Sequence, residues 1–244
     1  MKLIVVLSLL QAVFVFNLFG QGTGVYNKGY TAEQNLATIA SLSPYTPGGM
    51  GFDNRYEGVV GTRLVYDSLC PAMFRFNGQE QWIRLEADMD VVDNVMIFRH
   101  PTTKEILSIP AVMVGDLIIT FSGKELLYRT TLGMKFEKED DAIRFCQVLY
   151  DGPYTFIKVP WKKFIEANYK ALYSPQRTYD EFESKERYYI LGTDSLYHQV
   201  TLKKKSLEKL FPDKKELLSD AADKPGHGQS EEEYISDLLR KIGN

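Results

Sequence analysis

The sequence predicts a mainly β protein with helices at both ends (α+β), built as an antiparallel meander that forms a curled sheet or an open barrel. Between residues 56 and 200, apolar residues recur at every second position, in short stretches rich in β-branched and aromatic side chains. Turn-forming pairs such as Asn77-Gly78 and Ser122-Gly123 separate these stretches. The 15 tyrosines and 14 phenylalanines also suit a pleated surface.

Composition divides the chain into four segments. We expect a signal peptide at 1–20, a lead-in helix and loop at 21–55, a β-rich domain at 56–200 and a helical tail at 201–244. The formal net charge of -3 gives no electrostatic reason to expect nucleic acid as a partner.

The first twenty residues have the order of a secretory signal peptide. Lys2 gives a basic start, residues 3–19 are almost entirely apolar, and small residues follow. Cleavage is predicted after Gly20 or Gly22, which the sequence does not separate. The alternative is an uncleaved anchor, for which the run is barely long enough. We therefore expect an exported protein, periplasmic, extracellular or at the cell surface, with no transmembrane segment after signal removal.

A short helix is predicted near the start of the mature chain. Thr31 and Gln34 fit a capping box, in which each side chain accepts from the other's amide. Leu36, Ile39 and Ala40 then share one helical face, which predicts a helix from about residue 32 to 42.

Residues 144–159, RFCQVLYDGPYTFIKV, predict a β-hairpin. A two-residue turn at Asp151-Gly152 would set Val148 opposite Thr155 and Cys146 opposite Ile157. Cys146 would then be a buried thiol in mid-strand, where a nucleophile is hard to reach.

Cys70 and Cys146 are the only cysteines. In an oxidising compartment they are candidates for a disulfide, which would stabilise the fold by about 4 kcal/mol because it closes a long loop. The alternative is two separate buried thiols. Neither cysteine has the local signature of a catalytic Cys-His pair.

Acidic and histidine residues give no strong metal signal. His100, His198 and His227 share no metal-ligand spacing. Asp88 and Asp90 begin a run like the start of a calcium loop, but the glycine and the closing glutamate of such a loop are missing. We expect these two carboxylates to be solvated on one strand face. A second acidic group, at residues 137–141, predicts a charged turn.

No motif for a cofactor or a nucleophilic serine is present. The chain lacks G-x-S-x-G and any glycine-rich phosphate cradle before a helix. An acid pair distant in sequence, as in glycoside hydrolysis, stays open. The residues therefore favour a protein without a catalytic site or cofactor.

The tail predicts helices that dock on the sheet. Ser206 is predicted to cap a turn, Pro212 to begin a second helix, and Ser230 with Glu233 to form another capping box. The residues predicted to face the sheet are Leu207, Leu210, Phe211, Leu217, Leu218, Ala221, Tyr234, Ile235, Leu238, Leu239 and Ile242. The lysines at 203–215 alternate with acids, which predicts a solvated face.

Three parts of the sequence resemble a known group of proteins. They are FCQVLYDGPYTFIKV at 145–159, KKFIEANY followed by TYDEF and YYI, and LKKKSLEKLFPDKKELL at 202–218. They resemble uncharacterised exported β-rich proteins common in Bacteroidetes, which carry a signal peptide, a "vLydG" hairpin and a helical tail around "LFPDKK". The likeness covers roughly residues 56–218. It implies a bacterial exported protein of unknown role, at the periplasm or the cell surface, and it says nothing about catalysis.

Two functions follow as expectations. The first is a non-catalytic binding or structural protein of the cell envelope, with an envelope protein as partner. The second is a periplasmic carrier that holds an apolar ligand such as a lipid in the concave face of the sheet. A carrier needs a continuous apolar cavity of roughly 300 Å³ or more, whereas a binding module needs a filled interior and an exposed patch or sheet edge.

Overall fold

The computed structural model describes residues 31–42, 58–138, 143–167 and 179–243. The predicted signal peptide and the acidic residues 139–141 lie outside the described residues, as does most of the lead-in segment.

The described residues form one ten-stranded antiparallel sheet with helices at both ends of the chain, which confirms the predicted fold class. The strands are β1 (Cys70–Phe76), β2 (Ile83–Asp90), β3 (Val95–Arg99), β4 (Ile106–Pro110), β5 (Val114–Phe121), β6 (Lys124–Thr130), β7 (Phe145–Tyr150), β8 (Phe156–Ile165), β9 (Glu181–Leu191) and β10 (Tyr197–Val200). The helices are α1 (Ala32–Leu42), α2 (Lys204–Leu210), α3 (Lys215–Ser219) and α4 (Glu231–Gly243), with 3₁₀ turns at Ala111–Met113 and Pro212–Lys214.

The strand order, β10-β9-β8-β7-β6-β5-β1-β2-β3-β4, forces the sheet to curl. Only the 3₁₀ turn separates Pro110, at the end of β4, from Val114, at the start of β5. Four Cα steps reach at most about 15 Å. In a flat sheet β4 and β5 would stand four strand spacings apart, about 19 Å. The edge strand β4 must therefore bend back towards β5.

The inside of the curl is filled by its own side chains. Phe74 and Phe76 of β1 and Phe98 of β3 are completely buried there. Leu36 of α1 joins this cluster. Other fully buried members of the cluster are Met89, Met96, Ala87, Ile109, Leu117 and Ile119.

The C-terminal helices pack on the same face of the sheet, in the part formed by the strands after β6. Tyr128, Gln147, Lys158 and Tyr188 are successive cross-strand partners from β6 to β9, so they share one face. The apolar residues that α2, α3 and α4 bury against Phe156 and its neighbours are Leu207, Phe211, Leu218, Tyr234, Ile235, Leu238, Leu239 and Ile242. Each fully buried aliphatic side chain contributes about 1.5–3 kcal/mol.

Both predicted capping boxes are confirmed. Thr31 N donates to Gln34 Oε1 (2.8 Å) and Gln34 N to Thr31 Oγ1 (3.2 Å). Ser230 N donates to Glu233 Oε2 (3.0 Å) and Glu233 N to Ser230 Oγ (3.1 Å). The side chains of Ile39 and Ala40 lie outside the described part.

The tail differs from the prediction at two positions. Leu217 is 45% exposed, because Leu218 takes the buried place on the short α3. Ser206 lies inside α2 rather than at its start, and its hydroxyl bonds Thr201 Oγ1 (2.6 Å) instead. Pro212 begins a 3₁₀ turn that leads into α3.

The sequence predicts a single strand in each of the stretches YEGVVGTRLVY at 56–66 and DVVDNVMIFRH at 90–100, and both strands are broken. The described part of the first, from residue 58, makes only isolated bridges at Val60 and Leu64, because Gly58 and Gly61 take positive φ values. We call residues 58–67 the strap. The second stretch, predicted as one strand, turns at residues 91–94 between β2 and β3.

The hairpin containing Cys146 has a different register from the predicted one. Val148 pairs with Ile157 rather than Thr155, and a five-residue loop replaces the two-residue turn. The predicted turn would have placed Pro153, which has no amide hydrogen, opposite Tyr150 in the ladder. Up to Val148 the shift is by two residues, so these side chains keep their face and Cys146 stays buried. A bulge between Val148 and Tyr150 changes the register again. The hairpin at Asn77-Gly78 is confirmed, with Gln79 N donating to Phe76 O (3.0 Å).

Candidate functional site

The two cysteines do not form the disulfide that the sequence left open. Both are free and buried. Cys70 lies on β1 and Cys146 on β7, with β5 and β6 between them, which separates them by about three strand spacings, or 14 Å. A disulfide needs Cα atoms within about 7 Å. Burial raises the pKa of Cys146 to about 12, so this thiol is not a nucleophile at neutral pH.

The prediction of solvated carboxylates at Asp88 and Asp90 is wrong. Both residues are completely buried, and the strap pairs with the end of β2 beside them, with Leu64 bridging Asp90 and Val65 N donating to Met89 O (3.0 Å). Asp88 accepts from Met89 N (2.6 Å) and Tyr66 N (3.0 Å). Burial raises the pKa of Asp88 to about 6, although these amides and Lys162 oppose the rise.

Asp90, like Asp88, has a structural role. Its Oδ1 accepts from the amides of Val92 and Asp93 (both 3.0 Å), and its Oδ2 lies 2.9 Å from Arg63 Nε. Carboxylates already bonded to amide donors and a guanidinium hold turns and the strap in place. No group of three or more metal-ligating side chains occurs among the described residues.

Two glutamates distant in sequence meet where α4 docks on the sheet. Tyr188 Oη lies 2.5 Å from Glu186 Oε2 and 2.9 Å from Glu232 Oε1, and the two carboxylates share its one hydrogen. Lys158 Nζ lies 3.0 Å from Glu232 and 3.6 Å from Glu186. Lys158 and the Tyr188 hydroxyl hold both acids in place, so this cluster, which we call the α4 clamp, suits attachment of the helix better than acid catalysis.

The lysine run is not simply a solvated face. Lys204 is buried, and its Nζ donates to Ser219 O (3.2 Å), Ala221 O (2.8 Å) and Asp223 Oδ1 (3.1 Å). It therefore binds the carbonyl groups at the end of α3. Lys203, Lys205 and Lys209 are exposed, as predicted.

An open groove of about 1100 Å³ runs beside the edge strand β10. It is lined by β10 itself, by Arg187 and Tyr189 of β9, and by residues from three other parts of the chain. Those further residues include Glu137, Lys138, Asp194, Ser206, Lys209, Leu210 and Pro212. The groove combines an exposed backbone edge with charged side chains, and we treat it as the candidate functional site.

The backbone of β10 is only partly covered on its outer side. Tyr197 N donates to Lys135 O (2.8 Å), and Tyr197 O accepts from Glu137 N (3.1 Å). Because outward groups alternate along a strand, the next outward residue is Gln199. Thr201 N donates to Ser206 Oγ (3.3 Å). Among the described residues, none hydrogen-bonds the outward amide or carbonyl of Gln199. The side chain of Gln199 is exposed.

On one side of this groove, His198 contacts two carboxylates. Its Nε2 lies 2.9 Å from Asp194 Oδ2, and its Nδ1 lies 3.3 Å from Glu137 Oε2. Burial lowers the pKa of His198, but the bonds to Asp194 and Glu137 outweigh burial and raise it overall. With both ring nitrogens beside carboxylates, the imidazolium cation is favoured. We call these three residues the His198 clasp.

The other two histidines have ordinary positions. His100 Nδ1 accepts from Thr102 N (3.3 Å) and Thr103 N (3.0 Å), which closes the β3–β4 turn. His227 lies exposed in the loop before α4.

The His198 clasp depends on a glycine that sequence reasoning did not select. A Cβ at Gly192 would lie 2.8 Å from Asp194 Oδ1 and 2.9 Å from the ring of His198. The carboxylate and the ring therefore pack directly on bare backbone. A Gly two residues before an Asp in a turn is the only local signal, and it is too common to identify the clasp.

Basic and aromatic side chains continue from the groove onto the outer face of β8 and β9. The Arg187 guanidinium lies 5.0 Å from the Trp161 ring centroid, and Lys185 Nζ lies 5.8 Å from it. Tyr189 and Phe136 pack edge to face at 5.0 Å. Arg187 and Tyr189 belong to this surface and to the groove.

Comparison of the chain with protein-family models, curated proteins and solved structures gives no match. None of the described helices is long and apolar enough to cross a membrane.

Proposed function

We propose that this chain is an exported, non-catalytic binding protein of the cell envelope, which engages its partner through the groove at β10. The observation that carries the proposal is that no described residue bonds the outward backbone groups of Gln199, which lie between covered positions at Tyr197 and Thr201. An exposed strand edge is a site where a second chain readily adds. The order of residues 1–20 supports export.

The character of the side chains in the groove supports binding without catalysis. Both nitrogens of His198 face carboxylates, so neither is free to accept a proton from a nucleophile. The thiols of Cys70 and Cys146 are buried away from the groove, and burial raises the pKa of each.

The filled curl weakens the alternative of an apolar-ligand carrier. Its concave face is occupied by Phe74, Phe76 and Phe98, which are completely buried against one another and their neighbours. The groove at β10, in contrast, is lined largely by charged and hydroxyl side chains. A lipid tail would gain little there.

Position-specific photocrosslinking tests the proposal. A crosslinking amino acid replaces Gln199 in the tagged full chain, and a matched variant carries it at Val112, which is 41% exposed. We expect one defined envelope protein to crosslink from position 199 and not from position 112. Equal or absent crosslinking at the two positions would contradict the proposal. Stoichiometric lipid in the purified protein would favour the carrier instead.

Export is tested separately on the same cells. N-terminal sequencing of the mature protein should begin at Gln21 or Thr23, and osmotic release or surface proteolysis should separate periplasmic from surface locations. A mature protein that retains Met1 and fractionates with the cytoplasm would remove the envelope part of the proposal.

A further inference from the structure

We infer that the groove takes an extended acidic peptide segment, which adds to β10 at Gln199 as a short extra strand. This inference rests on the proposed function and names the class of partner. Its carboxylates would lie against the lysines that line the same groove.

The backbone defines a short slot. Tyr197 and Thr201 have their outward groups satisfied by Lys135, Glu137 and Ser206. Between them, Gln199 presents one donor and one acceptor that no residue of the described ranges bonds. The span from residue 197 to 201 is about 13 Å. A peptide residue pairing with Gln199 therefore makes two hydrogen bonds, and its neighbours must be extended to fit between the covered positions.

The residues 135–137 show that this edge accepts an added chain. This segment already runs parallel to β10 and exchanges two backbone hydrogen bonds with Tyr197. The slot at Gln199 is the next pairing position on the same side of the strand. Only about three peptide residues fit between that segment and Ser206, so the rest of a bound peptide must leave the sheet edge on either side of Gln199.

Charge indicates which side chains the peptide carries. Lys138 and Lys209, both exposed, line the groove from two different segments, and Arg187 lines it from β9. The acids of the groove, Glu137 and Asp194, are turned to His198 and held there. The exposed Lys138 and Lys209 therefore face an incoming chain, although the protein as a whole carries a formal charge of -3. Such a local field selects acidic side chains.

Alternating side chains of an extended peptide fit this arrangement. Successive residues of a strand point to opposite sides. Acidic residues at every second position would all lie on one side of the added strand. The residues between them would lie over Tyr189 and Leu210, which also line the groove.

Fluorescence anisotropy with two labelled synthetic peptides tests the inference on the full chain. One peptide alternates glutamate and valine, and its twin has lysine in place of glutamate. We expect saturable binding of the acidic peptide only. Gln199→Pro should weaken binding about tenfold, because it removes the outward amide hydrogen, and Gln199→Thr should not. Proline is tolerated on an edge strand whose amide faces outward.

Charge variants and modified peptides complete the test. Lys138→Glu with Lys209→Glu should abolish binding, whereas Lys241→Glu, on the exposed end of α4, should not. If the Gln199→Pro protein does not fold, two acidic peptides replace this variant, one N-methylated at the odd-numbered amides and one at the even-numbered amides. Only the peptide whose methyl groups face Gln199 should lose binding. Equal binding of the two peptides, or binding of neither, would overturn the inference. Crosslinking from position 199 without peptide binding would overturn the inference alone and keep the proposed function.

Discussion

His198 Nε2 lies 2.9 Å from Asp194 Oδ2 across the β9–β10 turn, while the other ring nitrogen faces Glu137. The two acids come from different parts of the chain, one from the turn and one from the segment that covers Tyr197. A single imidazolium therefore joins the turn to the cover of the sheet edge. Protonation of this ring links pH to the stability of the groove.

The His198 clasp predicts a pH-dependent stability. A histidine whose folded-state pKa exceeds its unfolded value stabilises fully below about 6.5, and that stability is lost as pH rises through the folded-state pKa. His198→Gln should therefore destabilise more at pH 5.5 than at pH 8.5. Urea unfolding of both proteins at the two pH values measures the difference. A difference independent of pH would show that protonation plays no part.

Asp88 predicts a pH dependence of the same sign as that of His198, in a lower pH range. Burial raises its pKa to about 6, so the folded state binds this proton more tightly than the unfolded state does. The resulting stability is full below about pH 4 and is lost as pH rises through about 6. Relative to Asp88→Asn, the wild type should lose on the order of 3 kcal/mol between pH 4 and pH 7. A constant difference between the two proteins would contradict this account.

The sequence predicted the regular parts of the fold because their signals are local. The capping boxes at Thr31 and Ser230 and the apolar face of α4 depend on residues three or four positions apart. The burial of Cys146 also survived an incorrect turn, because a shift of two residues preserves the faces of a strand. Local spacing therefore sufficed for element type and for inside or outside.

The candidate site was not predictable in the same way. Asp194 and His198 are close in sequence, but Glu137 reaches them only because the segment before β7 returns to the β10 edge. The burial of Asp88 and Asp90 likewise depends on the strap, which crosses from β9 to β2. Such approaches between distant segments carry no periodic signal, so only the folded structure reveals which charges meet.

The thiols give a direct test of the cysteine assignment. Both are free and buried, so a thiol reagent should react with neither in the native protein and with two per chain in denaturant without reductant. Cys146→Ser should cost about 1–3 kcal/mol, because it places a hydroxyl between Ile157 and Val159. Rapid native labelling, or failure to label in denaturant, would contradict the assignment.

The α4 clamp predicts an energetic coupling between Lys158 and Glu232. Lys158→Met leaves two carboxylates and Tyr188 beside one another without a cation, so it should destabilise by about 2 kcal/mol. Glu232→Gln combined with Lys158→Met should cost less than the sum of the single changes. Urea unfolding of the four proteins completes the cycle. Additive effects would show that the two groups act independently.

A methyl group added at Gly192 is expected to separate His198 from Asp194 in the His198 clasp. A Cβ at this position meets both Asp194 Oδ1 and the His198 ring at under 3 Å, so Gly192→Ala should push the two side chains apart. The pKa of His198 should then fall towards its ordinary value, because the bonds that raise it are lost while burial remains. Titration of the ring protons by NMR measures this fall. Gly226→Ala is the matched control, since its Cβ would meet only Gln229 Oε1 at 3.8 Å. An unchanged His198 pKa in Gly192→Ala would show that the ring owes its protonation to other groups.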